Sequence, residues 1–216
     1  MTGRLSAAQV FAALNEIRPT NAVLVEESPP NLSDLHKAWP ITEPDTFYTF
    51  ASGFGWNLPA SVGVALAERD SGRNRPVITV IGDGSFQYSV QSIWSAAQLH
   101  LPMLILVLRN EEYCILKSFA VHEEAPGVPG LDLPGIDIVS VARGYGCDAA
   151  RLDDIGAIKK AAAKAWVKQK PTVLEIPISA EVPPLISDLL IGAMSCPLNP
   201  NDPELTKVND PELIRS

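Results

Sequence analysis

Cysteine is scarce in this chain: Cys114, Cys147 and Cys196 are odd in number and include no C-x-x-C pair. That excludes a disulfide framework and a cysteine zinc site, and it suits a reducing compartment, so the cytoplasm is the expected location. The three histidines, His36, His100 and His122, are isolated from one another and form no metal cluster in sequence. Basic residues are outnumbered as well. A net charge of −8 argues against a surface for nucleic acid or for an anionic membrane. Long apolar runs are missing: residues 101–108, the longest near-continuous one, contain a proline and fall far short of the ~20 residues that span a bilayer. No basic leader followed by an apolar core opens the sequence, so no signal peptide is expected.

What is present describes a folded domain. A chain of 216 residues, 46% apolar and 19% charged, suits one globular domain and at most an appendage. At this length roughly 70% of the unfolded surface is buried on folding, so a sizeable core is expected. The appendage is visible in composition. Residues 181–216 hold 6 of the 19 prolines and six acids against two bases, half of the net charge. Such a segment sustains neither a helix nor a central strand. It reads as a proline-rich acidic C-terminal arm, packed on something or loose, behind an α/β domain at residues 1–180.

Within that domain helical and strand patterns alternate. Residues 5–17 carry Val10, Leu14 and Ile17 on one helical face, with Ser6 placed to cap it. A short apolar run at 22–25 follows. The glycine-bearing loop Gly53-Phe54-Gly55 precedes a helix at 58–68, which has Pro59 near its start, where proline is tolerated. Residues 77–81 are a continuous β-branched run, as a strand buried on both faces requires. Val90, Ile93, Trp94 and Ala97 then follow the i, i+3, i+4, i+7 spacing of a helix of about three turns, with Trp94 read as core. Residues 103–108 are a second buried strand, 136–145 and 155–166 are helical, with Trp166 also read as core, and 172–178 form a last strand. Strand, helix, strand with apolar strands throughout predicts βαβ units. The fold class is therefore α/β, a doubly wound, mainly parallel sheet with helices on both faces.

In such sheets ligands bind beyond the carboxyl ends of the strands. Two loops lie there: Gly82-Asp83-Gly84-Ser85 after the strand at 77–81, and Arg109-Asn110-Glu111-Glu112-Tyr113 after the strand at 103–108. One crossover joins the two strands, so Asp83 and Asn110 are expected to face one crevice. Singly, Gly-Asp-Gly is an ordinary turn and an Asn after a strand an ordinary turn residue. The information lies in the combination. Glycines flanking Asp83 let the backbone approach a bulky anion, while a carboxylate, an amide oxygen and a backbone carbonyl are hard ligands suited to Mg2+. A diphosphate clamped through a metal also explains how an acidic protein holds a polyanion.

Gly-Asp-Gly-Ser followed 27 residues after Asp83 by Asn110 resembles the thiamin-diphosphate signature. Residues 52–63 resemble the loop and helix that precede it in 2-oxo acid enzymes. Residues 127–137, with Ala142-Arg143-Gly144-Tyr145-Gly146, resemble benzoylformate decarboxylases in particular. The likeness covers roughly residues 5–180 and only the C-terminal, diphosphate-binding domain of that family. It implies thiamin diphosphate and Mg2+ as cofactors and a 2-oxo acid as substrate. Asp83, the Asn110 side chain and the Glu112 carbonyl would bind the metal. Gly82, Gly84 and Ser85 would approach the diphosphate, with Tyr113 beside it. The Ser52 carbonyl would accept from the exocyclic amine, with Gly53 in the same loop and Phe54 as the apolar wedge. Ile115, Leu116 and Phe119 would line the substrate side.

Some positions depart from the family pattern. Arg109 stands where its first Asn is usual, Phe54 is bulkier than the usual wedge, and Ile115 weighs against an aromatic substrate. The glutamate that meets the cofactor's aminopyrimidine belongs to a pyrimidine-binding domain absent from this chain, so no catalytic residue is assigned here. Glu26 and Glu27 are read as exposed acids after a strand, on the wrong domain for that role. The chain is then either a piece of a longer protein or one subunit of an enzyme encoded in two parts, inactive in isolation and expected to assemble as a homo-oligomer. Two other functions stay open: a non-catalytic binding or assembly module that keeps the fold, and a carboligating, acetolactate-synthase-like enzyme part.

Overall fold

The structure, a computed structural model, describes residues 4–50, 53–125 and 127–180. The acidic arm expected at 181–216 lies outside the described residues, as does Cys196. In chain order the elements are α1 (Ala7–Asn15), β1 (Val23–Glu27), a 3-10 turn (Pro29–Asn31) leading into α2 (Leu32–Ala38), β2 (Phe47–Thr49), α3 (Asn57–Asp70) and β3 (Val77–Gly82). They continue as α4 (Asp83–Tyr88), α5 (Ser92–Gln98), β4 (Met103–Arg109), α6 (Cys114–His122), α7 (Ile138–Gly144), β5 (Asp148–Arg151), α8 (Ile155–Ala165) and β6 (Thr172–Pro177). All six strands are parallel, in the order β2-β1-β3-β4-β6-β5.

The strand patterns produce two cores. On β4, Leu104, Leu106 and Leu108 point to one face and Met103, Ile105 and Val107 to the other, because successive side chains of a strand alternate. The first face packs under α1, α2 and α8 through Val10, Phe11, Leu14, Leu35, Ile158 and Ala162. The second packs under α3, α5 and α7 through Leu58, Val62, Ile93, Ala96, Ile138 and Ala142. Both faces of β4 are therefore dry, which is why its sequence is uninterruptedly apolar. Local chemistry agrees at the chain's start. The Ser6 hydroxyl accepts the Gln9 N–H at 3.2 Å and the Gln9 side chain accepts the Ser6 N–H at 2.9 Å, a capping box for α1. Among the described residues no helix is long and apolar enough to cross a membrane.

Several expectations are corrected. Residues 90–97 do not form one helix of three turns; α4 and the seven-residue α5 are separate helices. Trp94 is not core but 53% exposed, because Ile93, Ala96 and Ala97 are the residues of α5 that face the sheet. Trp166 packs partly buried against the α1 and α8 layer, as read. The short edge strands β2 and β5 and the helix α2 carry no apolar run that would announce them.

Leu106 is fully buried in the central strand. Leu106→Ala should lower unfolding free energy in urea by about 2–5 kcal/mol, whereas Leu99→Ala, on the exposed side of α5's end, should change it by less than about 1 kcal/mol. Equal losses at the two sites would contradict the layering.

Candidate functional site

The strand order reverses at β1 and β3. From β1 the chain passes outward to β2, and from β3 it passes the other way to β4, with connecting helices on opposite faces. Loops that diverge in this manner open a crevice at the carboxyl ends of the strands. A cleft lies there, lined by residues 27–31, Phe54, 82–85, Leu108, Asn110 and 112–115. Its water-sized space is only about 40 Å³, far below the roughly 300–1,000 Å³ of an enclosing ligand pocket. It is one wall of a site rather than a pocket.

Asp83 and Asn110 meet in this wall. Gly82 pairs with Leu108 across β3 and β4, so Asp83, the first residue after β3, and Asn110, the first after β4, stand at neighbouring strand ends. Asp83 is buried, and desolvation pushes its carboxyl up to about 6. The Glu111 N–H donating to Oδ2 at 2.8 Å, the Gly84 N–H donating to Oδ1 at 3.0 Å and the charge of Arg109 pull in the opposite direction without winning. Among the described residues no lysine or arginine forms an ion pair with it. Asn110 Oδ1 accepts the Glu112 N–H at a long 3.2 Å. The Glu112 carboxylate is taken by Lys117, which also donates to Asp132 at 2.6 Å.

A cation fits this donor chemistry. Among the described residues no group of three or more His, Cys, Asp or Glu could hold a metal. A metal at Asp83 must therefore draw on amide and main-chain oxygens, the mixed oxygen set that Mg2+ accepts. The buried carboxylate, unpaired among the described residues, is the feature such an ion would relieve.

The loop of Gly53 and Phe54 is held by Glu27. Glu27 Oε1 accepts the Gly55 N–H at 2.6 Å and Oε2 accepts the Asn57 N–H at 2.9 Å, at the start of α3. Gly55 has φ of 91°, and a Cβ there would stand 2.4 Å from that of Tyr88, so only glycine fits. Phe54 then meets Tyr88 and Tyr113, with ring centroids 5.6 and 6.3 Å away. Tyr113 lies over Gly84, where an added Cβ would come within 2.5 Å of the ring. Glu26 and Glu27 are thus not exposed acids: both are buried residues of β1, and Glu26 accepts from the Ser28 N–H and from Thr49 Oγ1. The lining residues that the sequence does not assign to the site are Glu27, set aside there as an exposed acid, with residues 28–31, Leu108 and Cys114; Tyr88 joins them through its contact with Phe54. An acid at the carboxyl end of a buried strand was the available sign for Glu27.

Of the expected residues, the cleft brings together Phe54, Gly82, Asp83, Gly84, Ser85, Asn110, Glu112, Tyr113 and Ile115. Gly53 adjoins Phe54, and Ser52 lies outside the described residues. Leu116 and Phe119 are not in the lining; they continue α6 beyond Ile115, and Phe119 is half exposed. Cys114 is buried, and burial pushes its thiol up to about 12, so it is an inert packing residue.

Fold and cleft together define a doubly wound α/β domain that presents oxygen ligands at its switch point. The chain belongs to the thiamine pyrophosphate enzymes: the family model "Thiamine pyrophosphate enzyme, C-terminal TPP binding domain" matches residues 31–176. It is 36% identical to benzoylformate decarboxylase of Pseudomonas aeruginosa over 81% of this chain and 33% of that protein. The crystal structure of benzoylformate decarboxylase from Polynucleobacter necessarius superposes with a TM-score of 0.81 at 47% identity, covering 84% of this chain and 34% of the other. The thiamine diphosphate-dependent 4-hydroxybenzoylformate decarboxylase of Rhodococcus jostii RHA1 gives 0.79 at 34% identity, with the same coverages. The chain spans about a third of the length of the relatives it matches.

Because its folded-state value is raised, Asp83 favours the protonated form in the fold, and the metal-free chain loses stability as pH rises from 3.8 through about 6. An NMR titration of the Asp83 carboxyl in metal-free protein should give a midpoint near 6. An ordinary midpoint near 3.8 would contradict the burial argument.

Proposed function

We propose that this chain supplies the diphosphate- and Mg2+-binding part of a non-oxidative, thiamin-diphosphate-dependent 2-oxo acid decarboxylase, a lyase similar to benzoylformate decarboxylase. The observation that carries the reading is Asp83, buried at the end of β3 with no ion-pair partner among the described residues and sharing a cleft with Asn110 beyond the end of β4. Asp83, the Asn110 amide oxygen and the Glu112 carbonyl would hold Mg2+. Gly82, Gly84 and Ser85 would let the main chain approach the diphosphate, with Tyr113 against it. Phe54, fixed through Glu27, would support the rings, with Gly53 and the Ser52 carbonyl beside them. Ile115, Leu116 and Phe119 would form the wall toward the substrate. When bound, thiamin diphosphate supplies a thiazolium that accepts the electron pair released as a 2-oxo acid loses carbon dioxide.

The chain is incomplete for that reaction. Among the described residues the carboxylates lining the cleft are Glu27, Asp83 and Glu112. Glu27 is engaged by two backbone N–H groups and Glu112 by Lys117. The acid that meets the aminopyrimidine therefore comes from a pyrimidine-binding domain or subunit. Tyr88, 55% exposed beside Phe54, and Phe50, 61% exposed against Trp56, leave apolar surface for that domain or for a second copy in a homo-oligomer. The low cysteine content makes the cytoplasm the proposed location.

Calorimetric titration should show thiamin diphosphate binding to the chain only when Mg2+ is present, and Asp83→Ala should weaken it by about 100-fold or more. The chain alone should release no carbon dioxide from 2-oxo acids above background. Metal-independent binding that survives the substitution would contradict the site, and robust turnover would contradict its incompleteness.

A further inference from the structure

Arg109 ends β4 one residue before Asn110, and its side chain is 9% exposed. Its Nη1 donates to Glu175 Oε1 of β6 at 2.6 Å and its Nη2 to Glu111 Oε1 at 3.0 Å. Glu175 is itself buried and lies 3.4 Å from Arg151 of β5, so the guanidinium is anchored to the sheet. Glu111 is gripped from its other oxygen by Arg4, whose Nη2 donates to Oε2 at 2.8 Å. The residue so held has φ of 66°, in the left-handed region where a glutamate is strained and glycine is not. What glutamate adds over glycine at this turn is a carboxylate, and both of its oxygens are in use. The turn has a definite consequence. It aims the Glu111 N–H at Asp83 Oδ2, 2.8 Å away, and offers the Glu111 carbonyl to the Leu133 N–H at 2.7 Å.

We infer that Arg109 is a positioning residue for the metal end of the cleft: it clamps Glu111 in the left-handed turn, and the Glu111 N–H in turn fixes the Asp83 carboxylate before a cation arrives. Among the described residues Arg109 donates hydrogen bonds to Glu175 and Glu111 and none to Asp83; beyond its charge, which favours the Asp83 carboxylate, it acts through Glu111. The inference rests on reading Asp83 as a metal ligand for its purpose, but the clamp is a property of the chain without ligand. Replacing a buried ion pair by apolar side chains of similar size avoids orphaning either charge, so Arg109→Met combined with Glu175→Met releases the clamp from the sheet side. Glu111→Ala releases it from the solvent side without disturbing the buried pair.

The test is hydrogen exchange of the residue-111 amide in the ligand-free 216-residue chain, corrected for intrinsic rates, beside calorimetry with Mg2+ and thiamin diphosphate. Both variants should exchange at that amide about tenfold faster or more while global unfolding shifts little, as expected for a local opening. Glu111→Ala should also bind the cofactor about tenfold more weakly. Wild-type exchange at residue 111 in the double variant overturns the inference. Should that variant not fold, Glu111→Ala decides alone, and wild-type exchange there overturns it equally. A wild-type chain that fails to bind Mg2+ and thiamin diphosphate removes the functional reading, while the exchange rates still decide the clamp.

Discussion

Burying Asp83 at the end of β3, with no ion-pair partner among the described residues, costs free energy that the rest of the fold must offset, and much of the architecture around the cleft bears on that cost. Two dry faces on β3 and β4 set the strand ends rigidly side by side. Backbone N–H groups from Gly84 and Glu111 satisfy the two carboxylate oxygens, yet burial still dominates and the proton is held more tightly than in water. A group in that condition is poised for a positive charge. The low-dielectric surroundings that penalise it alone would strengthen its attraction to a divalent ion.

Rigidity around the carboxylate comes from other acids, each used differently. Glu27 serves main-chain N–H groups and orients the Phe54 loop; Glu111 and Glu175 serve Arg109; Glu112 and Asp132 serve Lys117. The cleft thereby has an ordered floor and no roof. Tyr88 stands half exposed beside this open wall, and the chain spans about a third of the length of the relatives it matches.

Much of this was legible before any coordinates. The uninterrupted β-branched and leucine runs at 77–81 and 103–108 announce central strands because no helix or half-exposed strand requires them, and Gly-Asp-Gly with Asn110 placed the site on their ends. Edge strands escaped notice for the converse reason. Phe47–Thr49 and Asp148–Arg151 are three and four residues long and partly exposed, so neither carries an apolar run. Trp94 is exposed where the spacing predicts core because helical spacing fixes a face but not its width, and α5 turns only Ile93, Ala96 and Ala97 inward. Glu27 reads as an exposed acid in sequence since its partners, the N–H groups of Gly55 and Asn57, lie 28 and 30 residues away and leave no trace in local pattern.

The central claim is that Asp83 and Asn110 grip one divalent ion carrying a diphosphate. Manganese, a paramagnetic stand-in for magnesium, added with thiamin diphosphate to isotope-labelled protein, tests it most directly. The account predicts that the Asp83 carboxyl and Asn110 side-chain amide signals broaden first, together with the Gly84 and Glu111 amides. Broadening confined to surface acids, with those four signals sharp, would contradict it.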